Sequence, residues 1–326
     1  MAARTRPGLL VLSLVLGWAL AALPSHPVAA ANFEPVVLNS IVSVLPLWPG
    51  HPQGGQPQLP PGVAPEGTAV AIASGGYLVT ANHVVARALS IKVRLPDGRE
   101  LPAELVGRDP ASDLALLKIA ADLPPLPYGP EPALASPVCA VGNQFGLDLS
   151  VTCGVVSAVH RAGTGFNPIE DFIQTDAAMN PGASGGALVD PQGRLVGLLS
   201  AIFTKDSDAN IGVNFAASAP LVRRVVEDLI AYGEVRRGKL GLGMAALEPE
   251  ERERWTGLRL WGVQPGGAGA AAGLKVGDLV TAVDGRPVRK LAEATSAIQM
   301  KRPGEVVEIT VLRDEQLLTL RLTLAP

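Results

Sequence analysis

Between residues 67 and about 218 the apolar residues come in short runs, four to eight long, separated by glycine, proline, asparagine or aspartate. Residues 68–73, 77–80, 91–95, 114–119 and 195–202 are such runs, and 41–45 is an earlier one. Apolar runs this short, bounded by turn residues, read as β-strands. The first clear helical period is LVRRVVEDLI at 221–230, where apolar positions recur at three and four. Gly233 then punctuates the chain, and the basic connector Val235-Arg236-Arg237-Gly238 opens a second unit. Residues 239–326 are β-rich again, with one helix predicted near 291–300. The pattern predicts a mainly β protein, a barrel or sandwich followed by a smaller β-rich domain. No internal repeat is visible.

The chain starts differently. Arg4 and Arg6 precede an uncharged run at 8–23, then Pro24, Pro27 and the small residues Val28 to Ala31. A basic start, an apolar middle and a small-residue end form a secretion signal, with Asn32 as the expected first mature residue. The alternative is an uncleaved membrane anchor over 8–23, although 16 residues is short of the roughly 20 a spanning helix needs. Residues 49–66 are rich in proline, glycine and glutamine and read as an exposed loop. The expected organisation is therefore a signal peptide or anchor at 1–31, an N-terminal segment and loop at 32–66, a catalytic unit at 67–232, a linker at 233–238 and a C-terminal domain at 239–326.

Composition narrows the function classes. A length of 326 residues suits about two domains, and 48% hydrophobic residues exclude a disordered chain. The net charge of −3 leaves no large basic footprint for nucleic acid. Two cysteines and four scattered histidines cannot build an ordinary zinc finger or iron–sulfur site. No metal or organic cofactor is implied. Cys139 and Cys153 each lie seven residues from Gly146, between strand-like flanks. A hairpin folded there would place the two sulfurs opposite each other for a disulfide; the alternative is two buried free thiols.

Of the four histidines, His26 falls in the leader and His51 in the proline-rich loop, while His160 reads as a strand end on the surface. His83 differs, because it directly follows the strand at 77–80. Ser184 stands in Asn180-Pro181-Gly182-Ala183-Ser184-Gly185-Gly186, where missing side chains let backbone N–H groups and a substrate carbonyl approach. Asp113 opens the strand at 114–119. A serine hydroxyl is a weak nucleophile at neutral pH and needs a base, which in turn needs an orienting acid. His83, Asp113 and Ser184 form that set in chain order on a β-rich scaffold.

The segments TANHVV, SDLALLKI, VGNQFGL, QTDAAMNPGASGG and RRVVEDLIAYGEVRRGKLGL together resemble the HtrA/Deg family of trypsin-like serine proteases. The resemblance implies a chymotrypsin-like double β-barrel protease domain followed by one PDZ domain. It implies His83 as general base, Asp113 as its acid, Ser184 as nucleophile, and the N–H groups of Gly182 and Ser184 as the oxyanion hole. It places the substrate chain along Leu199, Ser200 and Ala201, with Val213 and Asn214 lining a pocket for small aliphatic side chains. In the C-terminal domain it assigns Lys239, Leu240, Gly241 and Leu242 to a loop that captures a peptide C-terminus. Leu291, Ala294 and Ile298 share one helix face, with Ile298 offered to the peptide.

Three departures stand out: Ala183 for the family's asparagine, Gln144 for its proline, and Asn214 with Ser218 in the pocket motif. The function expected is cleavage of unfolded or misfolded chains in the periplasm or outside the cell, regulated by the PDZ domain. A membrane-tethered sensor protease is one alternative. A catalytically weak peptide-binding chaperone is the other, motivated by Ala183. The resemblance also implies a homotrimer formed through the segment around Phe33.

Overall fold

A computed structural model describes residues 35–49, 66–202 and 211–326. The leader or anchor at 1–31, His26, Phe33, and His51 with most of the loop at 49–66 lie outside the described residues. The first barrel contains β1 (Ile41–Leu47), β2 (Gly67–Ala73), β3 (Tyr77–Ala81), a short helix α1 (Asn82–Val85), β4 (Ser90–Arg94), β5 (Glu100–Asp109) and β6 (Leu114–Ile119). It closes in the order β1-β2-β3-β6-β5-β4. Since β1 pairs with both β2 and β4, this barrel starts upstream of the boundary expected at Gly67.

The second barrel contains β7 (Pro137–Gly142), β8 (Ser150–Arg161), β9 (Phe172–Thr175), β10 (Ala187–Val189), β11 (Leu195–Ile202) and β12 (Asn214–Ser218). Its closed order, β7-β8-β9-β12-β11-β10, repeats that of the first barrel. One apolar cluster joins the two: Ile41, Val79 and Leu116 from the first meet Val141, Phe172 and Leu198 from the second. Cys139 and Cys153 are register partners on β7 and β8 and are disulfide-bonded, the first of the two sequence alternatives.

Helix α2 (Ala219–Tyr232) seals this cluster with Leu221, Val222, Val225, Val226 and Leu229. The Ser218 side chain accepts from Leu221 N–H at its start, and Gly233, at φ 73°, ends it. A serine cap and a left-handed glycine are the usual boundaries of an amphipathic helix. The structure thus explains Ser218 as a helix cap rather than a pocket residue.

The C-terminal domain contains β13 (Leu242–Ala246), α3 (Pro249–Arg252), β14 (Leu258–Val263), α4 (Ala268–Ala271), β15 (Leu279–Val283), β16 (Arg286–Pro287), α5 (Leu291–Gln299), β17 (Val306–Arg313) and β18 (Gln316–Thr323). The sheet runs β13-β14-β15-β17-β18, with β16 beside β15, so β13 is an edge strand. Its core is separate, built from Leu258, Leu260, Val280, Ala294, Ile298 and Ile309 among others. Arg302 ties the domain to α2 through Asp228 at 2.8 Å and Glu227 at 2.8 Å. Among the described residues, no helix is long and apolar enough to cross a membrane.

Candidate active site

His83 sits in α1, directly after β3. The cap residue of this helix, Ala81, supplies no side-chain hydrogen bond. Asp113 does that work from a distant turn. Its Oδ1 accepts the His83 backbone N–H at 2.8 Å, and its backbone carbonyl accepts the Asn82 N–H at 2.9 Å. Its Oδ2 lies 2.6 Å from His83 Nδ1. The carboxylate therefore fixes both the backbone and the ring of His83, leaving Nε2 as the atom that can act on a substrate. The Asp113 side chain is 12% exposed and the imidazole 50%, so the carboxylate is sheltered while the ring reaches solvent.

Asp113 has φ 58°, a left-handed conformation unusual outside glycine. The turn that holds it there runs from Asp109. Buried Asp109 accepts hydrogen bonds from Ser112 Oγ and from the Arg237 guanidinium of the linker. Ile169 N–H also donates to Ala111 O at 2.9 Å.

Ser184 reaches the same region through Gly185. A Cβ on Gly185 would lie 2.1 Å from Thr68 O and 2.9 Å from Ala81 N, two residues ahead of His83. At φ 84°, only glycine suits this packing. Ser184 Oγ lies 3.4 Å from the Ser200 carbonyl, its one hydrogen bond among the described residues. Hydrogen bonds of a reacting hydroxyl commonly tighten only with substrate bound.

The flanking peptide planes are each fixed. Phe145 N–H donates to Pro181 O at 2.6 Å, and Gly186 N–H donates to Ala183 O at 2.9 Å. Across a trans peptide the N–H points opposite to the C=O. Gly182 N–H and Ser184 N–H are thereby turned away from these anchors, and no described residue accepts from either. Two unclaimed donors beside a serine hydroxyl are what a developing oxyanion requires.

The departures from the family pattern fit together here. Ala183 is buried and carries no amide. Gln144, in place of proline, accepts from Asn180 Nδ2 at 2.6 Å, and Asn180 O accepts from Ala183 N–H at 3.0 Å. The loop is thus anchored through Gln144 and Asn180.

Leu199 is paired with Ala216 and Ala201 with Phe215, but the register shifts between them. Ser200 is left out of the β11–β12 pairing, so its backbone is available beside Ser184. Asn214 is fully buried, and its Nδ2 donates to Ala177 O at 2.9 Å. Val213 packs on the core joining the barrels.

The structure adds detail to two sequence readings. His160 stands at the end of β8, as its sequence context suggests, but it is paired with acids. It lies within β8 at φ 53°, with Nδ1 2.8 Å from Asp171 and Nε2 3.1 Å from Glu131. The hydrogen bond to Asp171 raises its pKa above the ordinary imidazole value, against the opposing effect of burial. Its partners are acids from two loop positions, Glu131 and, just before β9, Asp171, neither adjacent to it in the chain. On α5, Leu291 is 47% exposed at the helix start, whereas Ala294 and Ile298 are buried in the core.

The predicted terminal-carboxylate loop is mixed. Lys239 N–H is taken by Ala325 O at 2.8 Å, while the N–H groups of Leu240 and Gly241 have no acceptor among the described residues. Leu242 then starts the edge strand β13. Sequence reasoning missed Asp109, although it stands in the same turn as Asp113. It also missed Glu66, whose carboxylate accepts from Arg94 at 2.9 Å and from Asn143 Nδ2 at 2.6 Å, joining the first barrel to the loop after β7.

Twin six-stranded barrels followed by a separate C-terminal sheet define a trypsin-like peptidase fold with a PDZ module. A family model described as a trypsin-like peptidase domain matches residues 67–198, and one for a PDZ domain matches 238–324. The chain is 36% identical over 269 residues to the serine endoprotease DegS of Escherichia coli (strain K12), covering 79% of this chain and 76% of that protein. It is 38% identical over 261 residues to the periplasmic serine endoprotease DegP of Salmonella typhimurium, covering 77% of this chain. The chain spans about half, 55%, of the length of that relative. A solved structure of the HtrA-type protease AlgW with tripeptide matches with TM-score 0.69 and 37% identity, covering 88% of this chain and 94% of that one. The chain belongs to the HtrA family of serine proteases.

Proposed function

We propose that this protein is a serine endopeptidase that cleaves extended segments of unfolded or misfolded proteins. The observation that carries the reading is the pairing of His83 with Asp113 together with the unclaimed N–H groups of Gly182 and Ser184. His83 Nε2 takes the Ser184 proton as Oγ attacks the scissile carbonyl. The two N–H groups hold the oxyanion, and His83 then gives the proton to the leaving amine. Water hydrolyses the acyl-enzyme in the second half, with His83 again as base. The substrate chain runs along Leu199–Ala201, and Val213 and Asn214 bound the pocket for the residue before the scissile bond.

The PDZ domain takes peptide C-termini by strand addition along β13, with the N–H groups of Leu240 and Gly241 on the terminal carboxylate. The relatives' periplasmic names and the leader-like start support a periplasmic or secreted location, and the family resemblance supports a trimer. Analytical ultracentrifugation tests the trimer. A fluorophosphonate probe tests the chemistry. It should label the wild type and leave S184A unlabelled, and S184A should stop cleaving a denatured protein while still binding it. Absence of labelling in the wild type would favour a peptide-binding chaperone.

A further inference from the structure

Thr68, which no motif singles out, is wired to the nucleophile loop more fully than any neighbour. It is fully buried at the start of β2, in the first barrel. Its Oγ1 donates to Gly182 O at 2.7 Å and accepts from Asn143 N–H at 2.9 Å. Its N–H donates to Ser184 O at 2.9 Å. Its own carbonyl accepts from Thr80 Oγ1 at 2.7 Å, which locks it to β3. The preceding Gly67 lies against α1, where an added Cβ would come within 2.5 Å of Val84, the neighbour of His83. One dipeptide of the first barrel therefore touches both the helix that carries the base and the loop that carries the serine.

We propose that Thr68 is the positioning residue of the oxyanion hole, acting through the carbonyls of Gly182 and Ser184. This rests on the peptidase reading above. Gly182 has φ 95° and no side chain, so its peptide planes would rotate at low cost if nothing held them. The two donors of the hole lie on the peptides 181–182 and 183–184. Thr68 Oγ1 fixes the peptide between these two, and Thr68 N–H fixes the one after the second. A hydroxyl is required because the same atom must donate to Gly182 O and accept from Asn143 N–H, and only an O–H does both. Ala183 has no side-chain amide of its own, and the Asn180 amide engages Gln144 rather than the carbonyls of Gly182 and Ser184.

The test compares T68V with T68S in the full chain. T68V keeps the shape and the backbone bond to Ser184 O but removes the hydroxyl; T68S restores it. With a fluorogenic peptide, T68V should lower kcat by roughly tenfold to a hundredfold with little change in KM, below the loss seen when a hole donor is deleted outright. T68S should regain most of it. Affinity for a peptide boronate, whose tetrahedral adduct needs the hole, should fall in parallel with kcat, while an unmodified peptide binds S184A and S184A/T68V equally. A kcat and boronate affinity for T68V within twofold of wild type would overturn the assignment. So would equal losses of boronate and plain-peptide binding, which mean a damaged cleft. If T68V does not fold, T68A, which adds no atoms to the buried site, is read in the same way. A wild type that neither turns over nor binds boronate would instead sink the peptidase reading itself.

Discussion

Removing the disulfide with C139A/C153A should lower stability without touching the chemistry. The two cysteines are separated by 14 residues and close a hairpin whose loop carries Asn143, Gln144 and Phe145. Cross-linking a loop of that length removes conformational freedom from the unfolded chain equivalent to about 3 kcal/mol. For a domain the size of the double barrel each kcal/mol moves Tm by about 2–4 °C, so a fall of about 6–12 °C in its transition is expected. The native hairpin has other support. Six register pairs, from Pro137↔Val155 to Gly142↔Ser150, hold β7 to β8, and β7 is also paired with β10. Phe145 N–H should therefore keep Pro181 O in place below the transition, and kcat at 25 °C should stay within about twofold of wild type. Differential scanning calorimetry gives Tm, and a fluorogenic peptide gives kcat on the same preparation. A Tm change under about 1 °C would refute the chain-entropy argument. A collapse of kcat well below Tm would show that the covalent bond, not the ladder, positions the loop.

Asp113→Asn should leave the fold intact yet lower kcat by about 10⁴, because the amide fixes the wrong imidazole tautomer; near-wild-type turnover would exclude the acid's role. Gly185→Ala forces a Cβ against Thr68 O at a positive φ, so a loss of at least about 1–3 kcal/mol is expected in urea unfolding. His160→Gln should flatten the pH dependence of stability near neutrality. The His160 pKa is raised in the folded state, so its contribution is complete below the ordinary value of 6.5 and is lost as pH rises through the folded pKa. Asp171 has a lowered pKa, because its hydrogen bonds from His160 and Ser218 together outweigh the opposing effect of burial. The contribution of the pair is therefore also lost as acid protonates this carboxylate. Glu131 and Arg286 also face His160, and denaturant titrations from pH 5 to 9 that give parallel curves for wild type and variant would exclude the pair as the source.

The sequence by itself determined the local elements. Strands at 114–119 and 195–202 and the helices near 221–230 and 291–300 follow from periodicity and turn residues, which are short-range properties. It also supplied the candidates for the reacting groups, because a glycine-flanked serine and a histidine after a strand are local signatures. The identical strand order of the two barrels was hidden, since closing a barrel requires alternation of apolar positions and not repeated residues. The family departures gained meaning only in three dimensions, where Gln144 and Asn180 make up for Ala183 and Ser218 becomes a helix cap. His160 acquired its acids, and Thr68 its place beside the loop of Gly182 and Ser184, through contacts between segments apart in the chain. Hydrogen bonds between distant segments depend on direction and distance that the linear order does not encode, so the candidate residues could be read early and their contacts only from the fold.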